Sequence, residues 1–193
     1  MQSPEAQKAK KSLRKTLATA RAELAKNPET ASMLSSQLSR LAADVQAKTV
    51  AAYLPFGDEP DITVFLNAAT ADRIRLLMPV SQANGHLTWV EYRGDSAPGI
   101  FGFLEPLGNP AALSEAELIL IPASAADSRG NRLGKGKGFY DRALADLPPG
   151  VPVAAVVYDS ELIDNVPVEA HDRPVSFVVT PERTVSVAKT SMG

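Results

Sequence analysis

The sequence predicts an α/β protein in which helices flank a mostly parallel sheet in layers. Apolar, strand-like segments alternate along the chain with amphipathic, helix-like segments, which is the pattern of layered folds with a parallel sheet. The length of 193 residues and the 45% content of hydrophobic side chains suit a single domain with a sizeable core.

Two helices are predicted ahead of the sheet. Leu13, Leu17 and Leu24 recur at helical spacing within residues 6–25. A second helix follows Asn27, a suitable N-cap, and Pro28, which fits the first helical position. We therefore divide the single domain of residues 1–193 into N-terminal helices within 6–48 and an α/β core within 49–187.

The elements of the core follow from apolar runs and turn signals. Strands are predicted at 49–56, 75–80, 117–124, 151–159 and 175–182, and short helices at 61–72 and 139–147. The pair Asn84-Gly85 precedes alternating residues and predicts an antiparallel hairpin or edge strand over 84–93. The Gly- and Pro-rich stretch 94–116 is predicted to be a loop.

The composition excludes several classes of function. A net charge of −2 gives the whole molecule no electrostatic attraction for nucleic acid or membrane. The absence of Cys removes disulfides and thiol chemistry, and two His are too few for a histidine-rich zinc site. The polar, basic N-terminus lacks the apolar core of a secretory signal, and Glu5 and Glu23 argue against a mitochondrial transit peptide. We expect a cytoplasmic protein without nucleic-acid or membrane partners.

The segment GNRLGKGKGFYDR, residues 130–142, carries the strongest functional signal. It follows a predicted strand and leads into a predicted helix, which is where open α/β sheets bind their ligands. Glycines let backbone N–H groups approach an anion, and the helix N-terminus supplies unpaired donors. Its spacing matches neither the P-loop nor the dinucleotide fingerprint. From these residues alone, phosphate binding is favoured over a solvated turn or an RNA contact.

The same segment, extended to GNRLGKGKGFYDRAL and preceded by LILIPASAADS, resembles the signature of the 5-formyltetrahydrofolate cyclo-ligase (5,10-methenyltetrahydrofolate synthetase) family. Weaker pieces resemble the family in the same order: KKSLRKTL…R, YLPFGDEPDI, GIFGFLEP and VPVEAHD…TPE. Three residues depart from the family pattern, since Ile62, Ala126 and Phe139 stand where Thr, Phe and Tyr are usual.

The resemblance implies a fold of the NagB/RpiA/CoA-transferase-like type and an enzyme that acts as a monomer. Its substrates would be 5-formyltetrahydrofolate and ATP, with Mg²⁺ as the metal. Its products would be 5,10-methenyltetrahydrofolate, ADP and phosphate, formed by phosphorylation of the formyl oxygen and ring closure by N10.

The resemblance also assigns residues to each ligand. The ATP-binding residues would be Lys10, Lys11, Arg14, Arg132, Leu133, Gly134, Lys135, Gly136, Lys137, Gly138, Phe139 and Tyr140. The folate-binding residues would be Leu54, Glu59, Phe101, Lys135, Gly136, Lys137, Gly138 and Phe139. Arg132 and Lys135 would be catalytic, and Asp141 and Asp172 would hold Mg²⁺.

These assignments have structural alternatives. Lys10 and Arg14 share one helical face, which could be a solvated basic surface. Leu54 could be core, Phe101 a packing anchor, and Glu59, Asp141 and Asp172 acids of helix starts and turns. Tyr53, Trp89 and Tyr92 are expected to be packing residues, and His171 is expected to be structural because the mechanism needs no base there.

Two other functions compete with the ligase. One is a nucleic-acid or nucleotide binder that uses the basic residues of the glycine-rich segment, and the other is a phosphosugar isomerase on a similar fold. A phosphate-backbone binder gains nothing from Glu59, Asp141 and Asp172, whereas a Mg·ATP and folate enzyme uses all three. An isomerase requires an acid/base pair, and we identify none in the sequence.

Overall fold

The computed structural model describes residues 4–25, 27–145, 147–169 and 172–187. Its helices are α1 (Pro4–Leu24), α2 (Pro28–Asp44), α3 (Thr63–Ala71) and α4 (Phe139–Ala145). Its strands are β1 (Thr49–Ala51), β2 (Arg75–Ser81), β3 (Leu87–Pro98), β4 (Leu104–Ala111), β5 (Leu118–Pro122), β6 (Ala125–Ala126), β7 (Arg132–Leu133), β8 (Val153–Val156), β9 (Phe177–Val179) and β10 (Thr184–Ser186). Short 3₁₀ helices occupy Leu113–Glu115 and Asp159–Glu161.

Eight of these strands form one sheet in the order β10-β9-β8-β5-β1-β2-β3-β4. The run from β9 to β2 is parallel, while β10 at one edge and β3 and β4 at the other are antiparallel. The predicted mostly parallel sheet is confirmed. Since β2, β1, β5 and β8 run in one direction, the segments that follow them leave from the same edge.

Helices cover both faces of the sheet, as β5 shows. Leu118 and Leu120 are fully buried in a cluster with residues of α2 and α3. Ile119 and Ile121 point to the other face, where the cluster includes Leu144 of α4. A strand buried on both faces must be apolar throughout, which explains its uninterrupted apolar run.

Helix α1 packs against the small β6–β7 hairpin rather than against the main sheet. Leu13 and Leu17 contact a buried cluster that contains Ala125 and Leu133. Farther along the helix, the guanidinium of Arg21 donates to the carboxylate of Glu161, and both side chains are almost fully buried. These contacts fix the rotation of α1 and direct its N-terminal half towards the strand ends.

Local signals in the helices and turns were predicted correctly. Asn27 caps α2 by accepting a hydrogen bond from the Glu29 N–H at 3.0 Å. Gly85 adopts a positive φ of 82° in the turn between β2 and β3, as the Asn-Gly pair indicated. Trp89 is buried, and Tyr92 packs against the core, so both are packing residues as expected.

Several strand predictions were wrong in extent. The strand predicted at 49–56 ends at Ala51. Farther along the predicted span, Pro55 has no N–H to donate to a neighbouring strand, and the chain then turns at Gly57 with φ 67°. The predicted strands 151–159 and 175–182 shorten to β8 and β9. The loop predicted at 94–116 is wrong, since β3 continues to Pro98 and β4 pairs with it. The prolines of β4 are tolerated there because β4 is an edge strand.

Candidate active site

A cavity of about 970 Å³ lies where the chain leaves the carboxyl ends of β1, β2 and β5. Its walls are the N-terminal half of α1, the segment after β1, the start of β4, the glycine-rich loop with α4, and the side chains of Glu169 and Asp172. Ligand sites commonly measure about 300–1,000 Å³, so this cavity is large enough for more than one small molecule.

The turn before the glycine-rich loop is fixed by a buried carboxylate. Asp127 is fully buried and accepts hydrogen bonds from the backbone N–H groups of Arg129, Asn131 and Val166 at 3.0–3.1 Å. Burial works against ionisation, but the bonds from Asn131 and the backbone outweigh it and lower the pKa of Asp127. This anchored turn leads into β7 and sets the position of Arg132.

Two glycines of the loop are required by their positive φ, and Gly130 is required by a close approach as well. A Cβ at Gly130 would lie 2.5 Å from the carbonyl oxygen of Val175, and its φ is +84°. Gly136 has φ +90° and lies against the guanidinium of Arg14, which a Cβ would approach to 3.4 Å. Arg14 also donates from Nε to the carbonyl of Gly134 at 2.7 Å, so helix α1 and the loop form one side of the cavity.

Arg132 places a buried cation in the cavity wall. Its Nη2 donates to Asp141 Oδ1 at 2.7 Å, and its side chain is 7% exposed. Its Nε is buried and has no hydrogen-bond partner among the described residues. A buried, unpaired guanidinium N–H is costly without an acceptor, so this donor fits an anionic ligand such as a phosphate.

Lys10 is buried between two acids rather than solvated. Its Nζ donates to Glu169 Oε2 at 2.8 Å and to Asp172 Oδ2 at 2.7 Å. Burial disfavours the ammonium, but the two carboxylates outweigh this effect and raise the pKa of Lys10. The alternative of a solvated basic face is therefore wrong for Lys10.

Glu59 presents its carboxylate to the cavity from the segment after β1. Its Oε1 lies 2.9 Å from Lys135 Nζ, and its Oε2 accepts from the Phe56 N–H at 3.0 Å. The Tyr158 hydroxyl donates to the Glu59 carbonyl at 3.2 Å. Burial raises the pKa of Tyr158 to about 12, so this donor keeps its proton and holds the segment in place at neutral pH.

Aromatic rings surround one side of the cavity. Phe56 and Phe103 lie 4.9 Å apart, and both line it. Phe101 is 41% exposed and does not line the cavity; its ring lies 6.1 Å from Phe139 and 4.9 Å from Lys137 Nζ. The structure therefore places Phe101 outside the cavity wall, where it supports two residues of the glycine-rich loop.

The structure brings the other predicted site residues together. Those that line the cavity are Lys10, Lys11, Arg14, Leu54, Glu59, Arg132, Leu133, Gly134, Lys135, Gly136, Lys137, Gly138, Phe139, Tyr140, Asp141 and Asp172. His171 lies outside the described residues, and its structural role remains a prediction.

The two predicted metal ligands fit Mg²⁺ only together with a nucleotide. Asp141 and Asp172 line the same cavity, and each is ion-paired, with Arg132 and Lys10 respectively. Within the described ranges, no group of three or more His, Cys, Asp or Glu could hold a metal ion. Mg²⁺ commonly takes one or two carboxylates plus phosphate oxygens and water, so the donor set suits Mg·ATP rather than a free ion.

Several residues of the cavity wall were not predicted from the sequence as ligands of the ligase. They include Phe56, Phe103, Glu105, Arg142 and Glu169. Glu169 lies three residues before Asp172, and Phe56 lies three residues before Glu59, so proximity to a predicted ligand was an available signal. Arg142 donates to the carbonyls of Gly85 and Lys137, contacts that no local pattern indicates.

Comparison with known proteins identifies the family. The model of the 5-formyltetrahydrofolate cyclo-ligase family matches residues 6–181. The chain belongs to this family. It is 39% identical over 150 residues to the 5-formyltetrahydrofolate cyclo-ligase of Mycolicibacterium smegmatis, covering 73% of this chain and 77% of the relative. It is 32% identical over 148 residues to that of Escherichia coli K12, covering 72% and 81%.

A solved structure agrees with the same assignment. The NMR structure of Aquifex aeolicus 5,10-methenyltetrahydrofolate synthetase matches with a TM-score of 0.79 and 27% identity, and the match covers 92% of each chain. The chain is thus a 5-formyltetrahydrofolate cyclo-ligase, an ATP-dependent ligase that converts 5-formyltetrahydrofolate to 5,10-methenyltetrahydrofolate. The nucleic-acid binder and the phosphosugar isomerase are thereby excluded as its principal function.

No helix of the described residues is long and apolar enough to cross a membrane.

Proposed function

We propose that the enzyme transfers the γ-phosphoryl group of ATP to the formyl oxygen of 5-formyltetrahydrofolate, and that N10 then closes the ring as phosphate leaves. The observation that carries this proposal is the shared cavity: the glycine-rich loop with its cations lines the same space as Glu59. Direct phosphoryl transfer requires both substrates in one enclosed site.

The ATP phosphates would lie against α1 and the glycine-rich loop. Phosphoryl transfer depends mainly on positioning and charge stabilisation, and this wall offers Arg14, Arg132 and Lys135 together with backbone N–H groups. Arg132 is the strongest candidate among them because its buried Nε needs an acceptor. We assign it to the transferring phosphoryl group.

Asp141 and Asp172 would hold Mg²⁺ beside the phosphates. When bound, Mg²⁺ supplies positive charge that offsets the charge on the phosphate oxygens. In the ligand-free arrangement each of these acids is paired with a cation that we assign to ATP. Binding of Mg·ATP would therefore release Arg132 and Lys10 to meet phosphate oxygens.

Folate would bind at the opposite wall. The 2-amino and N3–H groups of a pterin form a row of two donors, which matches the two oxygens of the Glu59 carboxylate. Lys135 would leave Glu59, its partner at 2.9 Å, and meet the phosphoryl group at the formyl oxygen. Its side chain is 46% exposed, so this movement breaks no buried packing.

The proposed reaction has two steps, and in each one the bonds formed and broken balance. The formyl oxygen attacks the γ-phosphorus, the bond to ADP breaks, and the N5-formyl group becomes an iminium phosphate. N10 then bonds to the formyl carbon and loses its proton, and the carbon–oxygen bond breaks. The formyl oxygen leaves within phosphate, which gives the methenyl cation.

The fate of the formyl oxygen tests this route. With 5-formyltetrahydrofolate labelled with ¹⁸O in the formyl group and a single turnover in unlabelled water, mass spectrometry of the phosphate should find one ¹⁸O. If ADP and methenyl product form but the label appears in water, the formyl oxygen is not phosphorylated and the proposed route is wrong.

We further propose that the enzyme acts as a monomer in the cytoplasm, as predicted from the sequence. Light scattering at assay concentration checks the monomeric state.

A further inference from the structure

The segment that carries Glu59 lies outside the helices and strands. It runs from the end of β1 at Ala51 to the start of α3 at Thr63, and it contains two prolines and a turn at Gly57. A connecting segment has no regular ladder of hydrogen bonds, so individual contacts to its backbone decide where it lies. The position of the Glu59 carboxylate therefore depends on the groups that bind the neighbouring carbonyls.

Two tyrosine hydroxyls bind three successive carbonyls of this segment. The Tyr53 hydroxyl donates to the Pro60 carbonyl at 2.8 Å. The Tyr158 hydroxyl lies 3.2 Å from the carbonyl of Glu59 and 3.4 Å from that of Asp58, and its one proton is shared between them. Both tyrosines are almost fully buried, and burial raises the pKa of each. Both hydroxyls therefore stay protonated and act as donors.

Tyr158 is itself held at its backbone and at its ring. Its backbone N–H donates to Glu161 Oε2 at 3.0 Å, and the guanidinium carbon of Arg21 lies 5.7 Å from the centre of its ring. Arg21 belongs to α1 and also approaches Asp58 Oδ1, at 3.8 Å. Because these groups are tied to the buried pair of Arg21 and Glu161, the Tyr158 hydroxyl is a fixed point for the backbone at Glu59.

The two tyrosines differ in their relation to the cavity. Tyr53 lines it, whereas Tyr158 is not among the described residues of its wall. An effect of the Tyr158 hydroxyl on a bound ligand must therefore pass through the backbone that it holds. This separates the placement of Glu59 from a direct contact with the ligand.

We propose that Tyr158 is a positioning residue for folate: its hydroxyl fixes the main chain at Glu59 so that the carboxylate faces the N–H donors of the pterin. The inference rests on the proposed role of Glu59 as the folate-binding carboxylate. It adds a residue behind the cavity wall to those that determine folate affinity.

Removal of the hydroxyl alone tests the proposal. Tyr158→Phe keeps the ring that packs against Arg21, and calorimetry should find 5-formyltetrahydrofolate bound about three- to tenfold more weakly, the usual effect of losing one hydrogen bond. Binding of a non-hydrolysable ATP analogue should be unchanged. The matched control is Tyr92→Phe, which removes a hydroxyl that donates to the Gly94 carbonyl at 3.2 Å, away from the described cavity wall. The control should leave both affinities unchanged.

A double-mutant cycle shows whether Tyr158 acts through Glu59. In the Glu59→Gln protein the carboxylate that Tyr158 places is gone, so adding Tyr158→Phe should change the folate Kd less than about twofold. A residue that supported the fold in general would cost the same factor in both backgrounds. The cycle therefore separates positioning from a general structural role.

Three results would overturn the inference. The first is a Tyr158→Phe protein that binds 5-formyltetrahydrofolate as tightly as the Tyr92→Phe control. The second is an equal loss of affinity for the ATP analogue, and the third is the same loss of folate affinity with and without the Glu59→Gln substitution. Unchanged folate affinity in Glu59→Gln alone is a separate result, because it contradicts the proposed folate role of Glu59 itself.

Discussion

Replacing Glu59 with Gln should weaken folate binding selectively. The substitution keeps the shape of the side chain but turns one acceptor oxygen into a donor. The amide oxygen can keep the bond from the Phe56 N–H, now 3.0 Å long, and the amide NH₂ would then face Lys135 and the pterin donors. In the variant, the amide NH₂ donor therefore faces the N–H donors of the pterin where the folate should bind.

The size of the effect follows from the usual strength of a hydrogen bond to a charged group. A hydrogen bond to a charged group contributes about 1.5–3 kcal/mol, so the loss of one such bond should cost roughly 2 kcal/mol, or about 30-fold in Kd. The Lys135 side chain is 46% exposed, so loss of its ion pair should cost less than about 1 kcal/mol of folding free energy. Weaker folate binding is therefore expected without a comparable loss of stability.

Calorimetry with each ligand separately tests this prediction. The matched control is Asp58→Asn, which removes the neighbouring charge from a side chain that is 38% exposed and outside the cavity wall. We expect about 30-fold weaker 5-formyltetrahydrofolate binding for Glu59→Gln only, with near-normal binding of an ATP analogue. A selective loss of nucleotide affinity would show that Glu59 belongs to the other ligand.

Three further predictions concern the remaining charged groups. Arg132→Ala and Lys135→Ala should each raise the ATP KM or lower kcat in steady-state assays, because both cations meet the polyphosphate; unchanged ATP kinetics in both would remove the phosphate role of the loop. Asp141→Asn and Asp172→Asn should each raise the Mg²⁺ concentration needed for half-maximal rate and lower kcat, and the double variant should cost less than the sum because both act through one ion. Wild-type Mg²⁺ dependence in both would make these acids structural. Glu161→Gln should destabilise the fold by about 3–5 kcal/mol in urea unfolding, because it leaves the Arg21 guanidinium buried without its carboxylate; a loss below about 1 kcal/mol would place that pair among weak surface ion pairs.

Local patterns predicted the helices better than the strands. The cap of α2 depends on neighbouring residues only, and the spacing of Leu13 and Leu17 places one face of α1 against the β6–β7 hairpin. A strand ends where its pairing with the neighbouring strands ends, and β1 pairs over only Thr49–Ala51 within a longer apolar run. The edge strand β4 was missed because its Gly and Pro residues are typical of loops.

The glycine-rich loop could be recognised from the sequence because its glycines and cationic residues follow one another closely along the chain. Lys10 shows the opposite case: its partners Glu169 and Asp172 are 159 and 162 positions away, and no spacing rule connects them. The prediction for the aromatic side of the cavity was wrong for a related reason. Phe101 and Phe103 both lie in the turn between β3 and β4, and the folded turn places Phe103 but not Phe101 in the cavity wall.

The appearance of the methenyl chromophore tests the central claim most directly. Purified protein is mixed with 5-formyltetrahydrofolate, and absorbance is followed with Mg·ATP, with ATP and a chelator, and without ATP. We predict that the chromophore appears only in the complete mixture and that, at saturating folate and an ATP concentration below the wild-type KM, Arg132→Ala slows its appearance. Methenyl formation at the full rate without ATP, or an Arg132→Ala rate equal to that of the wild type, would contradict phosphoryl transfer by the residues of this cavity.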